Sequence, residues 1–580
     1  MRARSLATLA SLFALVACGG GGGTSSPAPS PAPAPAPADA TLAVSLSGGA
    51  SPGIDHLWVT VTGVALNTDA SKVLGDGDPG WVTLPLAAPI TVDLADPSLA
   101  QGQATLLLSQ SVSALGNYAQ LRLVVAPPAS GAGLVASAAA KGLTWNDQVQ
   151  YTDASGAHVA QLEIPGQALG VRLQTVFTLS AGTTTPLAVE WNARSSLVRR
   201  AGTGGTDRFS LRDELQLYDQ QLLTALGASV QQIESGAFDS ISGQLDTSQF
   251  CAAGTQSGCI HDVVASALSL SADSRFHEDV RSVAVAADGS FLISPLPSES
   301  VFDVVIHGAN MRTFVIRNVF VDPTGIVQAQ PTALSSKVQP LVPVLDTSGP
   351  AVSLAGAVVP PASRIVFGLT IPGSGPASGD APYEIAVQAT DPATGAWVDS
   401  VALPGGPVLD AKLDPLTFVL GSPPTFTVVT PAEGLGAWSV WTEGSLAYGT
   451  IAIGHLAAGS NTLAAPAPAL ASGFTSGSIA VTLAGSPSNA PDHAEIAVAD
   501  DSGTVAVSDV SSLIGTGGNV SIAVPAGTSS TAATATAGVY AVALRTWKGG
   551  AEATSTLTAY GTAPIDLRAG RSGSVSLAFP

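Results

Sequence analysis

The sequence predicts an all-β protein made of tandem β-sandwich domains, and three observations predict it. Charged residues are only 11% of a 580-residue chain that carries 62 glycines and 41 prolines. Short apolar stretches are therefore broken repeatedly by turn residues, a pattern that favours sandwiches over helices. Within those stretches apolar and polar residues alternate with period two, the mark of a strand with one buried face.

The first element is not part of a sandwich. Arg2 and Arg4 precede an apolar run from Leu6 to Ala17. Twelve helical residues reach about 18 Å, too short for a bilayer core of about 30 Å. A basic start, a short apolar run and small residues make residues 1–17 a secretory signal peptide. The run Leu15-Val16-Ala17-Cys18 resembles the bacterial lipoprotein signal, or lipobox. That resemblance implies lipid on Cys18, cleavage before it and a membrane partner held through that lipid. Gly19 and Gly20 stand where inner-membrane-retained lipoproteins of many Gram-negative bacteria carry Asp, so the analogy points to the outer membrane or cell surface. Residues 18–38 read as a disordered Gly/Pro-Ala linker: Gly19–Gly23 is flexible, and Pro27 to Pro37 alternate with small residues as a polyproline II stalk.

At about 150 residues per domain, residues 39–580 hold three to four domains. The net charge of −20 carries no basic cluster. Nucleic acid is thereby disfavoured as a partner, because neutralising phosphates takes clustered Lys and Arg.

Residues 39–236 form the first predicted domain. Leu57, Val59 and Val61 share one strand face and Trp58, Thr60 and Thr62 the other; Ala119, Leu121, Leu123 and Val125 oppose Gln120 and Arg122. Near the end, Leu215, Tyr218, Leu222 and Leu226 keep helical spacing and predict a short helix. A series of short motifs in fixed order carries a resemblance. It includes Val59-Thr60-Val61-Thr62-Gly63-Val64, Gly80-Trp81-Val82-Thr83-Leu84, Gly116-Asn117-Tyr118-Ala119-Gln120-Leu121-Arg122-Leu123 and Pro186-Leu187-Ala188-Val189-Glu190-Trp191-Asn192. The segment resembles bacterial surface-lipoprotein domains known only as a domain of unknown function. The resemblance implies a β-rich domain and no catalytic residues.

Residues 237–345 contain Ser282 to Ile293, in which Asp288-Gly289 between apolar runs predicts a hairpin. A strand opening on Phe302 follows. The order strand, Asp-Gly-x-Phe, strand, aromatic-led strand resembles the carboxypeptidase regulatory-like β-sandwich, with Phe302 where Tyr is usual. That implies an accessory, non-catalytic sandwich, sometimes a relative of carbohydrate-binding modules. Residues 346–466 and 467–580 read as two further sandwiches, immunoglobulin-like in strand count and spacing. Three patterns recur between them: Ser353–Gly356 with Thr482–Gly485, Glu384–Val387 with Glu495–Val498, and Gly436–Val440 with Gly538–Val542. Duplication and one larger irregular sandwich both remain open. Four sandwiches in tandem suggest a rod.

Chemistry is sparse. Gly49-Ala50-Ser51-Pro52-Gly53 fits the hydrolase pattern Gly-x-Ser-x-Gly, but that Ser must sit between a strand and a helix, and here a strand follows. The seven histidines are scattered, and pairs such as Asp500-Asp501 and Asp213-Glu214 sit in turn-like or solvated contexts and read as surface charge. No enzyme, cofactor or metal is expected. Cys251 and Cys259, in a Gly/Ser/Thr/Gln loop, read as a disulfide permitted by export, against free thiols or a metal site with His261, Asp262, His277 and Glu278. The last alternative matches no standard zinc spacing. Trp58, Trp438 and Trp441 are the ligand-stacking candidates, for a glycan or a protein, against the alternative that a loop or domain covers them. The expected function is a lipid-anchored, non-enzymatic binding, adhesion or structural module of the cell envelope. The alternatives are a partner subunit of an outer-membrane assembly or export machine, and an envelope hydrolase.

Overall fold

Leu57, Val59 and Val61 are fully buried on one face of the strand His56–Asn67, as their alternation requires. The same rule builds nearly everything else in the computed structural model, which is all-β and arranged as tandem sandwiches. Side chains are described over most of residues 38–344 and 470–580. Over 352–464 chiefly the backbone of the strands is described, and residues 1–37 and loops such as 219–237 and 250–262 lie outside the described residues. No helix among the described residues is long and apolar enough to cross a membrane.

One strand order underlies all four sandwiches. In the second, the strands are Phe238–Gln244, Val264–Leu270, His277–Ala284, Ser290–Pro297, Ser300–Gly308, Met311–Val321 and Thr332–Ala333. The first lies between the fourth, antiparallel, and the seventh, parallel. The other sheet runs third, second, fifth, sixth, all antiparallel. The fourth sandwich repeats this: Phe474–Ala484 lies between Gly518–Gly527 and Ser572–Ala578. Its facing sheet runs Gly503–Asp509, His493–Asp500, Val539–Trp547, Leu557–Tyr560. The third repeats it with a hairpin, Val408–Lys412 and Thr425–Val428, inserted before its fifth strand.

The first sandwich follows the same plan with additions. Ala40–Gly48 lies between Thr105–Val112 and the parallel Thr184–Trp191, and Val82–Asp93, His56–Asn67, Gly116–Val125 and Val171–Leu179 form the facing sheet. A hairpin of Gln148–Asp153 and Gly156–Glu163 extends from His56–Asn67. Leu215–Tyr218 is a strand antiparallel to Thr184–Trp191, not the start of a helix. Pairing with the edge beside Trp191 prevails there over the helical spacing of Leu215 and Tyr218, and Leu222 and Leu226 lie outside the described residues.

The strand count matches an immunoglobulin-like sandwich, whereas the partition differs: immunoglobulin sheets put the first two strands together, and here they face each other across the core. Of the three recurring patterns, the first falls on the first strands of the third and fourth sandwiches and the last on their fifth strands. The middle one falls on a third strand, Tyr383–Gln388, and a second strand, His493–Asp500, which hold different places.

Asp288-Gly289 makes the tight turn its residues call for. Gly289 has φ 85°, and Asp288 Oδ1 accepts the Ser290 amide at 3.0 Å. The turn is not a hairpin, however. His277–Ala284 pairs with Val264–Leu270 and Ser290–Pro297 with Phe238–Gln244, so the chain passes between sheets there.

Separate apolar cores fill the first, second and fourth sandwiches. The domains do not form a simple rod, because the first touches both the second and the fourth. Between the first and second, buried Arg281 pairs with buried Glu190 and donates to the Leu99 carbonyl at 3.1 Å. Asn192 donates to Asp279 at 2.9 Å in the same joint. Between the second and third, Tyr383 donates to Asp303 at 2.7 Å and stacks on His277, 4.3 Å between ring centres. Burial there holds the His277 imidazole below its usual pKa, with Asp303 opposing and Arg317 adding to the effect.

Candidate functional site

The densest arrangement of charge lies where the first sandwich meets the fourth. On Gly116–Val125, Leu121 and Leu123 point into the core, so Gln120 and Arg122 point out, yet both are fully buried. Gln120 donates to the carbonyls of Asp69 and Lys72 at 2.6 and 3.0 Å. Arg122 donates to the carbonyls of Leu169 and Gly170 at 2.9 and 3.1 Å and grips Asp501 with both terminal nitrogens, at 2.9 and 3.1 Å. Arg172 stands 4.0 Å from the same carboxylate. Asp501 is thus a buried anchor and Asp500 is 1% exposed, which corrects the reading of this pair as solvated charge. The partner pair, Asp213-Glu214, lies outside the described residues.

A second set of charges closes into a square. Arg208 reaches Glu163 at 3.2 Å and Glu495 at 2.8 Å, and Arg545 reaches each of those carboxylates at 2.7 Å. Arg208 and Glu163 belong to the first sandwich, Glu495 and Arg545 to neighbouring positions on two strands of the fourth. Each cation therefore lies between two anions, one from each domain. The four side chains are partly buried, so removing one charge leaves an unbalanced, half-desolvated partner across the joint, and the square serves to fix register more than raw stability.

Local sequence explains why the fourth sandwich can come so close. On His493–Asp500 and Val539–Trp547 the core side carries Ile496, Val498, Val542 and Leu544. The outer side carries the cross-strand pairs Ala497–Ala543 and Ala499–Ala541. Four alanines make a flat face. Opposite it, Gly166 has φ 71°, and a Cβ there would lie 2.9 Å from the Asp500 carbonyl oxygen. Val73 and Leu169 pack on Val539 and Ala541, and Arg568 donates to the Ser71 carbonyl at 2.7 Å.

The joint encloses a cavity of about 50 Å³ lined by Gln161, Glu163, Arg545, Thr558 and Tyr560 among others. A space of this size has room for a few waters between its polar groups. Burial of its hydroxyl end raises the Tyr560 pKa, reinforced by Glu163 and Asp147. Burial lifts Asp147 to about 8, opposed by the Thr60 amide, which donates to it at 2.8 Å.

Trp58 lies on the face opposite Leu57 and Val59, half-buried. Its ring stacks beside His56, 5.6 Å between centres, and the Lys141 ammonium stands 5.3 Å from the ring centre. His56 is oriented by Asp93, whose Oδ2 is 2.6 Å from Nδ1. Trp438 and Trp441 occupy Ala437–Glu443, a strand paired on both sides, and their side chains lie outside the described residues. Cys18, Cys251, Cys259, Ser51, His261 and Asp262 also lie outside the described residues. Among the described residues no three His, Cys, Asp or Glu side chains group as metal ligands. Sequence reasoning missed Glu163, Arg208, Glu495 and Arg545. The available signal was alanine at outward positions of strands whose inward positions are large.

No curated protein matches the sequence. Among solved structures, the Bacillus anthracis TIE protein aligns at 9% identity over 94% of this chain and 73% of its own, with a TM-score of 0.14. A DUF3823 family protein from Parabacteroides merdae aligns at 11% identity over 38% of this chain and all of its own, at 0.13. A streptococcal ancillary pilin aligns at 9% identity over 59% of this chain and 99% of its own, at 0.14. Residues 39–212, the stretch that builds the first sandwich and its core, match the family model described as a domain of unknown function, DUF4382.

Proposed function

We propose that this protein is a lipid-anchored component of the cell envelope that works as a non-enzymatic binding or structural module. The observation that carries the reading is the run Leu15-Val16-Ala17-Cys18 after a basic and apolar leader, followed at once by the Gly and Pro-Ala tether. The resemblance of the motifs in residues 39–236 to surface-lipoprotein domains supports it. The second sandwich, by its resemblance to carboxypeptidase regulatory-like domains, serves as an accessory domain. Buried ion pairs on both sides of the first sandwich support a scaffold role, because they tie the domains into one block. A glycan or protein ligand is the natural partner, and Trp58 with His56 is one described aromatic pair that offers it a surface.

Expression of Cys18→Ser with its leader intact, followed by cell fractionation, tests the anchor. The variant is expected in the soluble fraction and the wild type in the membrane fraction; a variant as firmly membrane-bound as the wild type refutes the reading. Glycan-array and cell-adhesion binding by the chain from Asp39 onward tests the module.

A further inference from the structure

The polar contacts that hold the fourth sandwich to the first span 287 to 497 positions of sequence. Each of the two domains has its own apolar core, so neither needs the other to bury its interior. The apolar part of their contact is small, built around Val73, Leu169, Val539 and Ala541. The remainder is charge and hydrogen bonding: Arg122 with Asp501, the square of Arg208, Glu163, Arg545 and Glu495, and Tyr560 with Gln167 at 3.5 Å. Polar contacts between separately cored domains resemble transient protein–protein interfaces.

We propose that the outer face of the first sandwich is a docking surface whose partner is the fourth sandwich of this same chain, in cis within the closed monomer and in trans from a second copy once the cis contact is broken. Charge complementarity names the occupant. The receptor face presents Arg122, Arg172 and Arg208 around Glu163, and the fourth sandwich presents Asp501 and Glu495 around Arg545. Shape agrees, since the alanine face leaves room and Gly166 admits the Asp500 backbone. A partner on the same chain competes with an advantage that a free copy lacks, so the wild type closes on itself. Exchange of such an element between copies gives a dimer with the same contacts.

Two complementary full-length variants test this, Arg122→Asp and Asp501→Arg, with circular dichroism checking that each is folded. Alone, each is expected to sediment as one chain and to be more expanded than the wild type. Mixed, the intact Asp501 of one meets the intact Arg122 of the other, and the two reversed residues meet each other. The mixture is expected to sediment at twice the mass of either variant. A chain carrying both substitutions is expected to close again as a monomer. A mixture that stays at the mass of one chain while both variants are folded overturns the proposal. Ala541→Glu covers a failure of either reversal to fold, because it places a charge on the outer face of the fourth sandwich and spares that domain's core. It is expected to open the monomer in small-angle scattering; a folded Ala541→Glu chain as compact as the wild type also overturns the proposal.

Discussion

Arg122 and Asp501 stand 379 positions apart in the chain and meet in a two-pronged ion pair at 2.9 and 3.1 Å. The arginine side chain is 0% exposed and the aspartate 7%. Parallel N–H···O bonds of this kind are geometrically demanding, so the pair sets orientation as well as attraction between two sandwiches.

Removing the charge of Asp501 should therefore be expensive. Asp501→Asn leaves Arg122 buried against a neutral group, and breaking a buried pair costs about 3–5 kcal/mol. The loss is expected in the joint and not in either core. Hydrogen exchange should rise in Gly116–Val125 and His493–Asp500, with the core of the second sandwich unchanged. Unchanged exchange in those two strands would refute it.

Asp147 makes stability fall as pH rises. Its folded pKa of about 8 lies above the unfolded value of 3.8. The folded state thus holds a proton that the unfolded chain releases, and stability present below about pH 4 is lost progressively up to pH 8. Asp147→Asn keeps an oxygen for the Thr60 amide and carries no charge. Its melting temperature is expected to exceed that of the wild type at pH 8 and to vary less between pH 4 and 8. A steeper profile in the variant would count against this.

Gly289 cannot carry a side chain at little cost. Its φ is 85°, and a Cβ would fall 2.4 Å from the Leu245 carbonyl oxygen. Gly289→Ala should destabilise the second sandwich by at least about 1–2 kcal/mol. Thermal unfolding followed by hydrogen exchange in Phe238–Gln244 and Ser290–Pro297 reads the loss. A variant as stable as the wild type would show that the turn relaxes freely.

Cys251 and Cys259 are expected to be joined by a disulfide in exported protein. Intact-mass measurement after alkylation, with and without reduction, counts the thiols. Two alkylated cysteines without reductant would exclude the bridge.

Period and turn chemistry determined the local structure. Leu57, Val59 and Val61 had to share a face because a strand repeats every two residues, and Gly289 had to turn because only glycine takes positive φ without strain. Those rules are local, and so they were legible as an all-β chain of tandem sandwiches. They do not say which strand pairs with which. Asp288-Gly289 looked like a hairpin turn and instead carries the chain from one sheet to the other, because pairing depends on distant partners. Nor do they say what lies beyond a polar face. Gln120 and Arg122 alternate with leucines as solvent-facing residues would, yet the loops at Asp69–Lys72 and Leu169–Gly170 cover them and the fourth sandwich adds Asp501 as the carboxylate for Arg122. Asp501 reads as turn charge for the same reason. Its neutralising partner lies hundreds of residues away, and no window of sequence contains both halves of an ion pair that tertiary packing alone assembles.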